Sequence, residues 1–195
     1  MSRTERIARL ARHARRGRVR AFTLVELAIV VAIVGVLSVI AVVGYRKITL
    51  SAKVSEAQNM ISAIRIAQED YKVERGTYAT ISATVWCPSD GVSVVNVKTG
   101  WDTTCGGGAG WGQLPVHVDG PVQFGYKTIG GLGGTALPAV GGWIDMTAAT
   151  AMAATKPWYV VMAQADLNGD GASGLKTELV GTSFQNTIFS HQEGE

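Results

Sequence analysis

One stretch constrains this chain more than any other. Residues 22–45 are twenty-four residues in which Glu26 is the only charged side chain. As a helix at 1.5 Å per residue the stretch is about 36 Å long, enough to cross the hydrocarbon core of a bilayer. A single carboxylate near one end of such a segment is costly, so it points to a function and to a cationic partner. Ahead of it, residues 3–20 hold eight arginines and one acid. A basic block followed by an apolar run is an export or membrane-insertion pattern. The run is too long and too uniform for an ordinary secretory core of about 7–15 residues.

The residues Ala21-Phe22-Thr23-Leu24-Val25-Glu26-Leu27, leading into an apolar helix that contains Gly35, resemble the processing site and first helix of type IV pilins and related pseudopilins. A looser similarity continues to Tyr78. The resemblance implies that a prepilin peptidase cuts between Ala21 and Phe22, methylates the new Phe22 amine and leaves the apolar helix in place. It also implies that Glu26 pairs with the Phe22 amino terminus of a neighbouring subunit during assembly. The physics agrees, because a carboxylate in an apolar bundle needs a cation and a freshly cut amino terminus supplies one. Two positions depart from the family pattern. Ala21 stands where glycine usually precedes the cut, and Val43 stands where many type IV pilins have proline. Proline removes a backbone donor and helps a helix melt; Gly44 is a weaker breaker.

The chain of 195 residues suits one domain plus a membrane segment. Its net charge of +3 belongs to the precursor: the leader takes 8 of the 18 basic and 1 of the 15 acidic residues, which leaves about −4 from Phe22 onward. A mature chain of that charge is not a generic nucleic-acid binder. The arginines instead fit the positive-inside rule, with a cytoplasmic N-terminus and an exported C-terminal region. Arg15-Arg16 matches a twin-arginine signal only superficially.

After Arg46 and Lys47 the pattern turns amphipathic. Val54, Ala57, Ile61, Ile64, Gln68 and Tyr71 recur at three- and four-residue steps, which is helix periodicity. No Pro or Gly interrupts residues 45–75, and Gly76 stands where a glycine cap would. One long helix from Phe22 to about Arg75 is therefore expected. From residue 77 Gly, Thr, Val and Trp dominate and helix-favouring runs are scarce. Strands are expected at residues 122–129, 139–146, 158–167 and 175–180, with 158–167 central, and loops at residues 106–112 and 130–134. The fold class expected is α+β: a long N-terminal helix whose second half packs on an antiparallel sheet. The domain plan is a leader at 1–21, a transmembrane or filament-core helix at 22–45, its amphipathic continuation at 46–76 and an exported β-rich head at 77–195.

Cys87 and Cys105 are the only cysteines. Their even number and exported context favour one disulfide over two free thiols, contributing about 3 kcal/mol in the chain-entropy model. Trp86, Trp101 and Trp111 border or lie near that segment, either packing it down or forming an exposed cluster for adhesion. Asp166, Asn168 and Asp170, followed by Gly171, match the first half of a calcium loop. The closing acid is displaced, since position 12 is Thr177 and Glu178 falls one residue late. A calcium site and a plain acidic turn both stay open, so calcium is the one candidate cofactor. The Gly169-x-Gly171-x-x-Gly174 spacing is a false dinucleotide signal, because it leads into no convincing helix. His117 and His191 stand apart, no nucleophile elbow, zincin motif or P-loop is present, and an enzyme is not expected.

The function expected is a structural subunit of a type IV pilus-like filament, with itself, related pilins, a prepilin peptidase, the inner-membrane assembly machinery and membrane lipid as partners. It would sit in the bacterial inner membrane before assembly and in an extracellular pilus or periplasmic pseudopilus afterwards. The alternatives are a pseudopilin of a type II secretion system, a minor pilin, and a membrane-anchored exported binding domain.

Overall fold

The computed structural model describes residues 22–89, 97–107, 110–169, 171 and 176–193. One helix, α1, runs Leu24–Arg75. It ends at Gly76, whose φ of +75° lies in the left-handed region and whose N–H donates to the Lys72 carbonyl at 2.8 Å, a glycine C-cap. Packing divides the chain into two units between Val43 and Gly44. In the first, every described residue of α1 is exposed, and all but Glu26 and Ser38 are apolar. The 52-residue helix includes a window apolar enough to cross a membrane, with a mean hydropathy of 3.0.

The second unit holds the head. Four strands, β1 Gly125–Gly131, β2 Trp158–Ala165, β3 Thr177–Thr182 and β4 Gln185–His191, form one antiparallel sheet in the order β1-β2-β3-β4. A short helix, α2 Thr147–Ala153, lies between β1 and β2. Period-two alternation divides each strand between two faces. Tyr126, Tyr159, Val161, Ala163 and Leu179 pack with Val54, Ala57, Ile61 and Ile64 of α1 in one core. Trp158, Val160, Met162 and Val180 face the other way and meet Trp86, Val140, Trp143, Ile144 and Met146. All eight residues of β2 are buried, because the sheet is covered on both sides.

Two local devices seat α1 on the sheet. A Cβ built at Gly181 would come within 2.8 Å of Ile61 Cγ2, so the missing side chain lets helix and strand approach. Gln68, fully buried, donates from Nε2 to the Ala79 carbonyl and to Thr128 Oγ1, both at 2.8 Å, and accepts the Ala79 N–H at 2.9 Å. The polar member of the apolar stripe thus ties α1 to the chain leaving it and to β1.

The α+β architecture, the long helix and the antiparallel sheet agree with expectation. Three strand assignments change. Residues 139–146 are not a strand: Gly141 has no room for a side chain beside Trp143 Nε1 at 2.6 Å, and Val140, Trp143, Ile144 and Met146 turn down onto the sheet as a cover. The first strand begins at Gly125 rather than 122. Val122 exchanges backbone hydrogen bonds with Thr99 at 2.8 and 2.9 Å, and the Gln123 N–H donates to Glu56 Oε1 at 3.0 Å. Strand β4 was not expected, because its seven residues are mostly polar and exposed. Leu175, the expected start of the last strand, lies outside the described residues.

Candidate processing and assembly site

The site begins where the leader meets the helix. Ala21 lies outside the described residues; Phe22 is described and exposed. Thr23 and Glu26 form a reciprocal pair. Glu26 N–H donates to Thr23 Oγ1 at 3.1 Å, while the Thr23 N–H and hydroxyl donate to Glu26 Oε2 at 3.0 and 2.8 Å. This is a capping box, which satisfies donors that a helix N-terminus would otherwise leave open. The carboxylate is also placed where the helix dipole favours negative charge. Sequence reasoning singled out Glu26 but missed this partner. The Thr-x-x-Glu spacing ahead of an apolar run was the available signal.

Cys87 and Cys105 are joined by a disulfide. The segment they close is pinned by two bridges to the sheet region: Cys87 and Tyr126 exchange backbone hydrogen bonds at 3.0 and 2.7 Å, and Thr99 pairs with Val122. Trp101 packs on Trp111 and on Tyr126, with ring centroids 5.0 and 6.0 Å apart. Trp111 is buried on a short 3-10 turn, Gly110–Gln113, whose Gly110 has φ +51° and would place a Cβ within 2.5 Å of the Thr103 carbonyl. Trp86 belongs to the outer face, with its ring 4.1 Å from Lys127 Nζ. Packing, rather than an exposed aromatic cluster, is what Trp101 and Trp111 do. Among the described residues, four indole, phenol and amide groups in or near this region are buried without a hydrogen-bond partner: Trp101 Nε1, Trp111 Nε1, Tyr126 OH and Gln123 Nε2. Burial, with the nearby Glu56 carboxylate, pushes the Tyr126 phenol far up, so it stays protonated.

The acidic turn after β2 is partly described. Asp166 is fully buried and accepts the Gly169 N–H on Oδ1 at 2.7 Å and the Gly171 N–H on Oδ2 at 2.8 Å. Asn168 is exposed, and Asp170 lies outside the described residues. Thr177 donates to the Gln192 carbonyl at 2.8 Å, and Glu178 Oε2 accepts Trp143 Nε1 at 2.7 Å. Among the described residues no group of three or more His, Cys, Asp or Glu gathers in ligating range of one point. His117 and Asp119 form an exposed pair at 3.2 Å, while His191 stacks on Trp143.

Residues 16–42 match the family described as the prokaryotic N-terminal methylation motif. No curated protein and no solved structure matches the chain. The match spans the end of the basic leader, the Ala21-Phe22 junction, the capping box and the first turns of α1. It points to a structural subunit rather than an enzyme, to processing by a prepilin peptidase and to membrane anchoring before assembly. The chain therefore carries the prepilin signal of type IV pilins and pseudopilins, set at the start of a 52-residue helix that continues into an α+β head.

Proposed function

We propose that this chain is the precursor of a type IV pilus-like filament subunit, cut between Ala21 and Phe22 and methylated on the Phe22 amine. The observation that carries the reading is the coincidence of the methylation motif at residues 16–42 with an exposed apolar stretch, residues 22–45, whose one carboxylate, Glu26, sits in the first turn of α1. Before assembly, the first part of α1 anchors the subunit in the inner membrane, with the basic leader on the cytoplasmic side. On assembly, the same apolar surface is buried between subunits, which drives cohesion. Contacts of this kind are heterologous and do not close, so a filament results rather than a twofold dimer.

Glu26 gives the assembly its register. In the precursor its carboxylate is held by Thr23 of its own chain. Cleavage creates an ammonium at Phe22, and an apolar helix bundle leaves the carboxylate no water to replace such a cation. The Glu26 carboxylate of one subunit then meets the Phe22 amine of the next.

The test is intact mass and N-terminal sequencing of the protein from membrane and sheared-surface fractions. A chain that begins at N-methylated Phe22 and is enriched in the sheared fraction supports the pilus subunit. The same chain confined to the membrane assigns it to a pseudopilus or to a minor subunit. An uncut chain beginning at Met1 overturns the reading and leaves an anchored binding protein.

A further inference from the structure

The outer face of the sheet carries a small cavity. It holds about 180 Å³ and is lined by Trp86, Lys127, Met162, Glu178 and Val180, with residues 139–141 closing it. That is below the ~300–1,000 Å³ of sites for drug-sized ligands, so it admits neither a nucleotide nor an oligosaccharide. Its chemistry is unusual for the back of a sheet. Lys127 of β1 and Glu178 of β3 both border it, yet among the described residues no ion pair joins them. Two opposite charges thus face one space without closing on each other.

Each charge is oriented by its surroundings. Lys127 Nζ lies 4.1 Å from the centroid of the Trp86 ring, a cation–π contact that uses only part of the ammonium. Burial lowers the Lys127 pKa, and the Glu178 carboxylate pushes it back up, so the two charges feel each other across the cavity. Glu178 Oε2 is held by Trp143 Nε1 at 2.7 Å, and Trp143 is held in turn by the His191 ring stacked at 4.8 Å. A Cβ at Gly141 would fall 2.6 Å from Trp143 Nε1 and 3.1 Å from Glu178 Oε2, so the glycine is part of the arrangement. Trp86 is the indole among the lining residues, and Lys127 already sits over its ring, which makes charge rather than ring stacking what the cavity offers a ligand.

We propose that this cavity binds a small zwitterion of the amino-acid class, its carboxylate toward Lys127 and its ammonium toward Glu178. A simple anion or cation would answer one wall and leave the other charge half-desolvated, at a cost; a zwitterion of a few heavy atoms answers both. The proposal does not rest on the filament reading.

The test is isothermal titration of the full-length chain in detergent micelles with glycine, alanine and β-alanine, and with acetate and methylammonium as half-ligands. At least one of the amino acids binds at one site per chain, and each half-ligand binds at least about tenfold more weakly. Lys127→Met and Glu178→Gln each weaken that amino acid by at least about tenfold, and Glu178→Gln still accepts from Trp143, so its thermal midpoint stays close to that of the parent. Absence of binding by every amino acid tried overturns the proposal. So does acetate binding as tightly as the amino acid, which reduces the cavity to an anion site. Should either variant unfold, the comparison of whole and half-ligands on the unaltered chain decides.

Discussion

Single residues in the head separate satisfied burial from unsatisfied burial. Gln68 is buried with three hydrogen bonds, so its replacement by leucine strands the Ala79 N–H and carbonyl and the Thr128 hydroxyl. Each stranded group costs about 1–3 kcal/mol, and Gln68→Leu is expected to lower stability by about 3 kcal/mol, read from thermal unfolding of the full chain in micelles. Tyr126 is the opposite case. Its hydroxyl is buried with no partner among the described residues, so removing it discards a desolvation penalty and no bond. Tyr126→Phe is expected to leave the thermal midpoint unchanged or to raise it; a loss above about 1 kcal/mol in the same assay would mean that the hydroxyl has a partner, such as an ordered water.

At the scale of elements, helix and sheet meet through Gly181. It lies where β3 and β4 shift register between Val180 and Thr182 and where a side chain would strike Ile61. Gly181→Val is expected to cost about 1–3 kcal/mol through overpacking. The same change at Gly142, which has nothing within 4 Å of its Cβ position, serves as the control and costs less; equal effects would contradict the close-approach argument. The disulfide-bounded segment is the other element-scale test. Its closure restrains the unfolded chain, so Cys87→Ser with Cys105→Ser is expected to lose about 2–5 kcal/mol. Quenching of fluorescence from the Trp101–Trp111 pair should then set in at lower denaturant than in the parent protein. A long periodic helix and an apolar central strand were legible in the sequence at this scale, because 3.6- and 2-residue periods report directly on which faces are buried. Strand β4 was not legible: it is polar, and it forms because β3 offers it a hydrogen-bonding edge across a two-residue turn at Ser183 and Phe184.

For the whole molecule, assembly and insertion are separable through Glu26. Its side chain adds nothing to the apolar length of α1, so Glu26→Ala is expected to leave membrane insertion intact. The same variant removes the capping box and, on the proposed pairing, the counter-charge for a neighbouring Phe22 amine. Polymer recovered by shearing should fall at least about tenfold, while membrane-bound protein does not; normal filaments from this variant would sink the pairing. What the sequence by itself determined was the membrane-length helix, the prepilin signal and the α+β class; it favoured the Cys87–Cys105 disulfide over two free thiols, and the structure joins the pair. The first three are written in local composition and in periodicity. The tertiary structure alone decided the rest. Residues 139–146 were free to be a strand until the outer face of β2, buried and apolar, required a cover. Lys127 and Glu178 are 51 positions apart, and nothing local marks them as neighbours. They share a cavity because an antiparallel sheet places β1 and β3 on either side of β2, and juxtaposition across a sheet follows from register, which no single stretch of sequence contains.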